Sequence, residues 1–281
     1  MKNDNKADST IKNYDKLLSY LDRNTDLSNP EEVKHHVATK VVGKAYKRNL
    51  IIAYTLYCKY YKIEWEKPKY RQEAKQRRIP TKEKLATLIS NASPTLSIKL
   101  QMSKETGLRP IELCNLKTKD VDLAQRIIYP TTAKYGASRS LRISLNLTER
   151  LAEYINRHHR KPEDKLFNGT SSKYGKQFRH LRNRLAEKLK DASLKTVRLY
   201  DFRHYFATNL YDKTKDILLV KQQMGHKKLD TTLIYTQLLN LNEDEWTCKG
   251  ANTVEQATQL IENGFQYVTE IDGIKLFRKR K

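Results

Sequence analysis

Apolar side chains recur at three- and four-residue steps along most of this chain, and that period commits it to a mainly α fold. Ile11, Tyr14, Leu17, Leu18 and Leu21 establish the pattern, with Ser9 or Thr10 placed to cap the helix start. Pro30 followed by Glu31 and Glu32 opens a second helix. Proline needs no amide donor in a first turn, and carboxylates there complement the helix dipole. A third helix runs from about Gly43 to Tyr61 and carries Leu50, Tyr54, Tyr57 and Tyr61 at helical spacing. Residues 1–66 therefore predict a compact helical module.

The rhythm fails in few places, and each failure marks a boundary or a strand. Lys67 to Arg78 is crowded with cations, contains Pro68 and has almost no apolar period, which predicts a basic linker over 67–78. It is either a solvated loop or a segment lying along a phosphate backbone. A second domain, 79–247, starts at the helix entry Ile79-Pro80-Thr81. Within it Arg126 to Tyr129 and Ser140 to Leu145 read as strands, with Lys134-Tyr135-Gly136 in the turn between them. Helices resume from Leu147 to about Leu241. The last unit, 248–281, predicts a helix from Thr253 to Asn263 closed by Gly264, then strands Phe265 to Ile271 and Ile274 to Phe277 around Asp272-Gly273. Arg278 to Lys281 forms a basic tail, solvated or on phosphate. The expected class is mainly α with a small β-hairpin or sheet element.

Charge narrows the partners. The chain has 55 Lys and Arg against 32 Asp and Glu, a net charge of +23. Such a surplus attracts polyanions and favours nucleic acid over a membrane surface or a protein partner. The apolar run Leu50-Ile51-Ile52-Ala53 falls far short of the ~20 residues that span a bilayer. The N-terminus has no apolar secretory core, so a cytoplasmic, DNA-associated location is expected. Cys58, Cys114 and Cys248 fit neither a disulfide framework nor a zinc spacing. The adjacent pairs His35-His36 and His158-His159 diverge on a helix, which disfavours metal ligation. No P-loop, dinucleotide turn or paired-acid nuclease motif stands out, so neither metal nor cofactor is expected.

Three short segments carry the chemistry when taken together. They are Thr106-Gly107-Leu108-Arg109-Pro110-Ile111-Glu112-Leu113, then Leu199-Tyr200-Asp201-Phe202-Arg203-His204-Tyr205-Phe206-Ala207-Thr208, then Met224-Gly225-His226 with Tyr235 following in Thr231 to Thr236. Each alone is weak, since Arg109 could be a surface arginine and Tyr235 is one of 17 tyrosines. In this order and spacing they resemble the catalytic box of the tyrosine recombinase, or phage integrase, family. The resemblance covers about Ile79 to Leu241. It implies an α+β catalytic domain preceded by a helical, DNA-clamping core-binding domain.

The residue types suit that chemistry. Breaking a phosphodiester gathers negative charge on a five-coordinate phosphorus, and two guanidiniums, Arg109 and Arg203, can grip its oxygens bidentately. Preorganised donors of this kind can supply most of the rate enhancement without a metal. Tyr235 can then attack phosphorus and form a covalent phosphotyrosine. The resemblance implies a 3′-phosphotyrosine, a 5′-hydroxyl leaving group and double-stranded DNA as partner, with four protomers exchanging strands in pairs. It implies Lys134 as the acid that protonates the leaving oxygen, with Arg139 the competing cation. His226 matches a phosphate-binding histidine, and Glu112 an acid that holds Arg109. Asp201 and His204 belong to the same motif, His204 with a structural role.

Tyr200 departs from the pattern, because the family usually has histidine there. A phenol can still donate to a phosphate oxygen but cannot act as an imidazolium. Integration and excision of a mobile element is the expected role. Chromosome-dimer resolution, a type IB topoisomerase-like strand relaxation and a non-catalytic DNA-binding protein of the same fold stay open as alternatives. The unit after Tyr235 resembles the tails of integrase-like proteins from archaea. Residues ~253–281 are expected to pack on a neighbouring protomer and regulate cleavage.

Overall fold

The computed structural model describes residues 7–70, 79–132, 136–236 and 246–280. Lys134, the anticipated acid, and most of the anticipated linker lie outside the described residues. The chain divides into two compact units, Met1–Gln76 and Arg77–Lys281.

In the first unit α1 (Asp8–Asp22), α2 (Pro30–Thr39) and α3 (Lys44–Tyr61) enclose Leu17, Leu21, Val33, Val37, Leu50 and Ile51. Pro30 takes the first turn of α2, as the sequence predicts, and the Asn29 side chain accepts from the Glu32 amide. Tyr54 is fully buried, yet its hydroxyl donates to the Leu27 carbonyl at 2.9 Å. The phenol thereby ties α3 to the loop before α2.

The second unit is organised around α5 (Pro94–Thr106), which is buried on all sides. It packs against α4 (Lys82–Ser90), α7 (Leu145–Arg157), α8 (Ser171–Lys188) and α9 (Asp201–Thr214), and against the short α6 (Pro110–Asn115). A small antiparallel sheet of β1 (Val121–Asp122), β2 (Ile127–Ile128) and β3 (Leu141–Arg142) sits in the same core, with Val121 opposite Ile128 and Ile128 opposite Leu141. Both anticipated strands are present but shorter than expected. The second stops because Ser144 leaves it to cap α7, its hydroxyl accepting from the Leu147 amide at 3.2 Å. α10 (Ile217–Met224) and α11 (Asp230–Leu233) follow α9.

At the C-terminus β4 (Trp246–Ala251), α12 (Val254–Glu262), β5 (Gln266–Ile271) and β6 (Ile274–Arg280) form a sheet of order β4-β6-β5. The turn at Asp272-Gly273 has φ of +51° and +75°, the left-handed pair a tight hairpin requires. Two features differ from expectation. β4 is an extra strand, hidden in sequence because Trp246 to Ala251 lacks clean alternation and contains Gly250. Arg278, Lys279 and Arg280 continue β6 as strand residues, since β4 offers them backbone partners. Among the described residues no helix is long and apolar enough to cross a membrane.

Candidate active site

The first motif is shaped by its glycine and proline. Gly107 ends α5 at φ +60°, and a Cβ there would lie 2.4 Å from a Phe206 ring carbon, so no larger residue fits. Pro110 opens α6 and keeps Arg109 extended, with φ −65° and ψ 145°. Arg109 thus becomes the N-cap, and the Glu112 carboxylate reaches back to it twice. One oxygen accepts from the Arg109 amide at 2.9 Å and the other from its guanidinium at 2.7 Å. Main chain and side chain of Arg109 are fixed by a single acid.

Glu112 also binds Arg139, whose Nη2 donates to the same carboxylate at 2.7 Å. Burial alone would raise the acid's pKa. The Arg139 hydrogen bond and charge, with the Arg109 amide and charge, outweigh it and hold Glu112 at about 2. It is therefore a carboxylate at any working pH.

The second motif begins where Asp201 opens α9 and accepts from the Arg198 amide at 2.8 Å. Arg203 follows on the buried face, 1% exposed. Its Nη1 donates to the Gly107 carbonyl at 2.6 Å, and its Nη2 to the Met224 carbonyl and to His226 Nε2, the latter at 3.1 Å. One guanidinium thus joins all three motif segments. Burial, then the charge of Arg109, lowers its pKa to about 10, so it stays cationic at neutral pH.

The third motif turns at Gly225, with φ +61°. His226 then sits between Arg203 and Thr232, its Nδ1 2.9 Å from the Thr232 hydroxyl. An arginine can only donate, so Nε2 must accept and the proton resides on Nδ1, directed at Thr232. Burial, followed by Arg203, Arg109 and Arg139, lowers the His226 pKa to about 4 and keeps the ring neutral.

Tyr235 is 2% exposed and lies with Ala207, Val220 and Met224 in a separate apolar cluster. Its hydroxyl is 3.1 Å from His204 Nδ1, a contact the sequence reading did not anticipate. The Tyr200 ring meets His204 edge-on at 5.3 Å and is 43% exposed. Thr232, fully buried, was also missed. Its polar side chain inside a conspicuous motif was the available signal.

The fold thus brings Arg109, Glu112, Arg203 and His226 together, and sets Tyr235 on His204 next to them in sequence. Two guanidiniums share one carboxylate and a third, Arg203, lies in its field, leaving a surplus of positive charge suited to an anion such as a phosphodiester. Among the described residues the buried Nε of Arg203 and Nε and Nη1 of Arg139 have no hydrogen-bond acceptor.

Comparison with known proteins bears on this arrangement. Residues 74–241 match the model of the phage integrase family. A tyrosine recombinase of Pseudothermotoga lettingae is 32% identical over 136 residues, covering 48% of this chain and 46% of its own length. Tyrosine recombinase XerA of Thermococcus onnurineus is 26% identical over 242 residues, covering 83% and 86%. With coverages of 46%, 52%, 42% and 45%, the chain spans about half the length of the first curated relatives it matches. In fold it is similar to a Tn1549 transposon integrase solved with circular intermediate DNA, at TM-score 0.67 and 18% identity over 92% of this chain and 94% of that one.

Proposed function

This chain belongs to the phage integrase family, and on that premise we propose that it is a tyrosine-type site-specific recombinase acting on double-stranded DNA. The observation that carries the reading is Arg203, which holds the Gly107 carbonyl, the Met224 carbonyl and His226 in one buried node beside Arg109. Such a node has no evident purpose in a protein that merely coats DNA. A phosphate-coating surface needs exposed cations, whereas these are buried and oriented.

In the proposed reaction Arg109 and Arg203 bind the non-bridging oxygens of the scissile phosphate. The incoming anion offsets the cation field on His226, so that Nε2 takes up a proton from solvent and donates it in a hydrogen bond to the phosphate. The bond from Tyr235 Oη to phosphorus forms as the bond from phosphorus to the 5′ oxygen breaks. The phenol proton leaves towards solvent, since the 3.1 Å contact with His204 belongs to the seated Tyr235. The leaving oxygen takes a proton from Lys134. Tyr200, half-exposed beside His204, donates to phosphate in place of the family's histidine. Tyr235 is 2% exposed and Arg203 1%, so both must be uncovered when DNA engages, Tyr235 by leaving its apolar seat.

The finer role we assign is integration and excision of a mobile element by a tetramer that exchanges strands in pairs. The appended sheet β4-β6-β5 with α12 supports it, as an addition that minimal dimer resolution does not need. We assign that unit to contacts between protomers that regulate cleavage. A chain truncated before Trp246 that recombines normally would remove this assignment.

The decisive test is a nicked, suicide DNA duplex incubated with the protein. A covalent protein-DNA adduct is expected, and Tyr235→Phe abolishes it. An adduct that persists in the variant overturns the assignment of the nucleophile.

A further inference from the structure

We infer that Arg139 is a positioning residue, which fastens the stretch immediately before β3 to the arginine that grips phosphate. The inference rests on the recombinase reading and deepens it. Two arginines share the Glu112 carboxylate, but they are placed differently. The Arg109 side chain keeps 15% of its surface exposed, whereas those of Arg139 and Glu112 have none. Arg109 can therefore reach a ligand, and Arg139 can reach only the protein.

The second observation is the packing of Gly225. A Cβ there would stand 2.7 Å from Arg139 Nη1 and 3.1 Å from the Ala137 carbonyl. The guanidinium lies beneath the turn that presents His226, in space made available by the missing side chain. Arg139 therefore touches two motif segments at once, through Glu112 and through Gly225. It also lies just before β3, at the base of the connection that carries Lys134 in sequence. Any shift of that base displaces Glu112, and Glu112 holds both the amide and the guanidinium of Arg109.

Charge supports the same assignment. Burying an ion pair rarely adds net stability over a well-packed apolar pair. A buried carboxylate shared by two guanidiniums is poorer still as a stability device, which suits a role in geometry. Glu112 is faced by Arg109 at the start of α6 and by Arg139, with Arg203 of α9 and His226 after α10 also in its field. Removing Arg139 takes away a hydrogen bond and a positive charge that help hold the acid ionised.

The test uses the full chain and the suicide duplex, with single-turnover adduct formation measured at saturating protein and duplex affinity measured separately. For Arg139→Met the adduct rate falls about 100-fold while affinity changes by less than about threefold. The variant's rate also falls as pH drops below about 6, where the wild type stays flat, because Glu112 now titrates nearer its ordinary range. Arg139→Lys, which keeps the charge without the planar fork, recovers about tenfold of the loss, and it decides the matter if the Met variant does not fold. An adduct rate within threefold of wild type, a loss residing wholly in DNA affinity, or an unchanged pH profile overturns the inference. A wild-type chain that forms no adduct overturns the recombinase reading and the inference with it.

Discussion

The arginine side and the tyrosine side of the site are held by different forces. Arg109, Arg139 and Arg203 are fixed by short, charge-assisted hydrogen bonds to Glu112 and to two main-chain carbonyls. Those bonds are directional and strong, so the donors occupy one geometry before any ligand arrives. Tyr235 follows the four-residue helix α11 and is seated among Ala207, Val220 and Met224. Apolar packing is non-directional, so the ring's seat fixes its position less tightly than charge-assisted bonds fix a guanidinium. The difference teaches a division of labour. On the proposed reading, charge stabilisation is built in advance, whereas the nucleophile is withheld until a duplex binds.

The comparison can be broken most sharply at Tyr235→Phe. That change removes one oxygen and leaves the ring seated, so adduct formation falls below detection while duplex affinity and the melting temperature stay close to wild type. Loss of folding on this change would mean that the hydroxyl, not the ring, secures the segment. Arg203→Lys comes next. Lysine offers one nitrogen where Arg203 uses two separate ones, so it cannot span the Gly107 carbonyl on one side and the Met224 carbonyl and His226 on the other, and the adduct rate drops about 10²- to 10³-fold. Unlike Tyr235→Phe it also lowers the melting temperature, because the three motif segments lose their common node.

Glu112→Gln leaves two buried guanidiniums without their counter-ion and destabilises the fold by about 3 kcal/mol, measurable by urea unfolding. Its pH dependence follows from the depressed pKa. The carboxylate's contribution is complete above the ordinary value of 4.5 and is lost as pH falls through about 2, so variant and wild type converge only in strong acid. The smallest effect belongs to His226. Its folded pKa of about 4 lies below the ordinary 6.5, so its share of stability is present above 6.5 and lost as pH falls towards 4. Thermal melts across that window should decline more steeply for the wild type than for His226→Asn. Equal slopes would show that the imidazole is not held neutral by burial and the arginines.

Much of this was legible in one dimension because its causes are local. The entry of α2 at Pro30, the hairpin turn at Asp272-Gly273 and the cap residues follow from the dihedral limits of single residues. That Arg109, Glu112, Arg203 and His226 come together could be anticipated from their motifs, whereas their proposed roles await the adduct experiment. β4 was not, because a strand with glycine and no alternation exists only through its partner β6. Nor was the early end of the second strand. Ser144 can pair or cap, and the burial of Leu147 in α7 selects the cap.

The sequence by itself determined that the chain is mainly helical, strongly cationic and supplied with two arginines, a histidine and a tyrosine suited to phosphoryl transfer. Only the tertiary structure decided that Arg139 turns inward to Glu112, that His226 is neutral with its proton towards Thr232, and that Tyr235 rests on His204. The physical reason is range. Helix period, turn chemistry and charge sign are properties of neighbours along the chain. Burial, protonation and the sharing of one carboxylate by two arginines arise only when distant segments exclude water together.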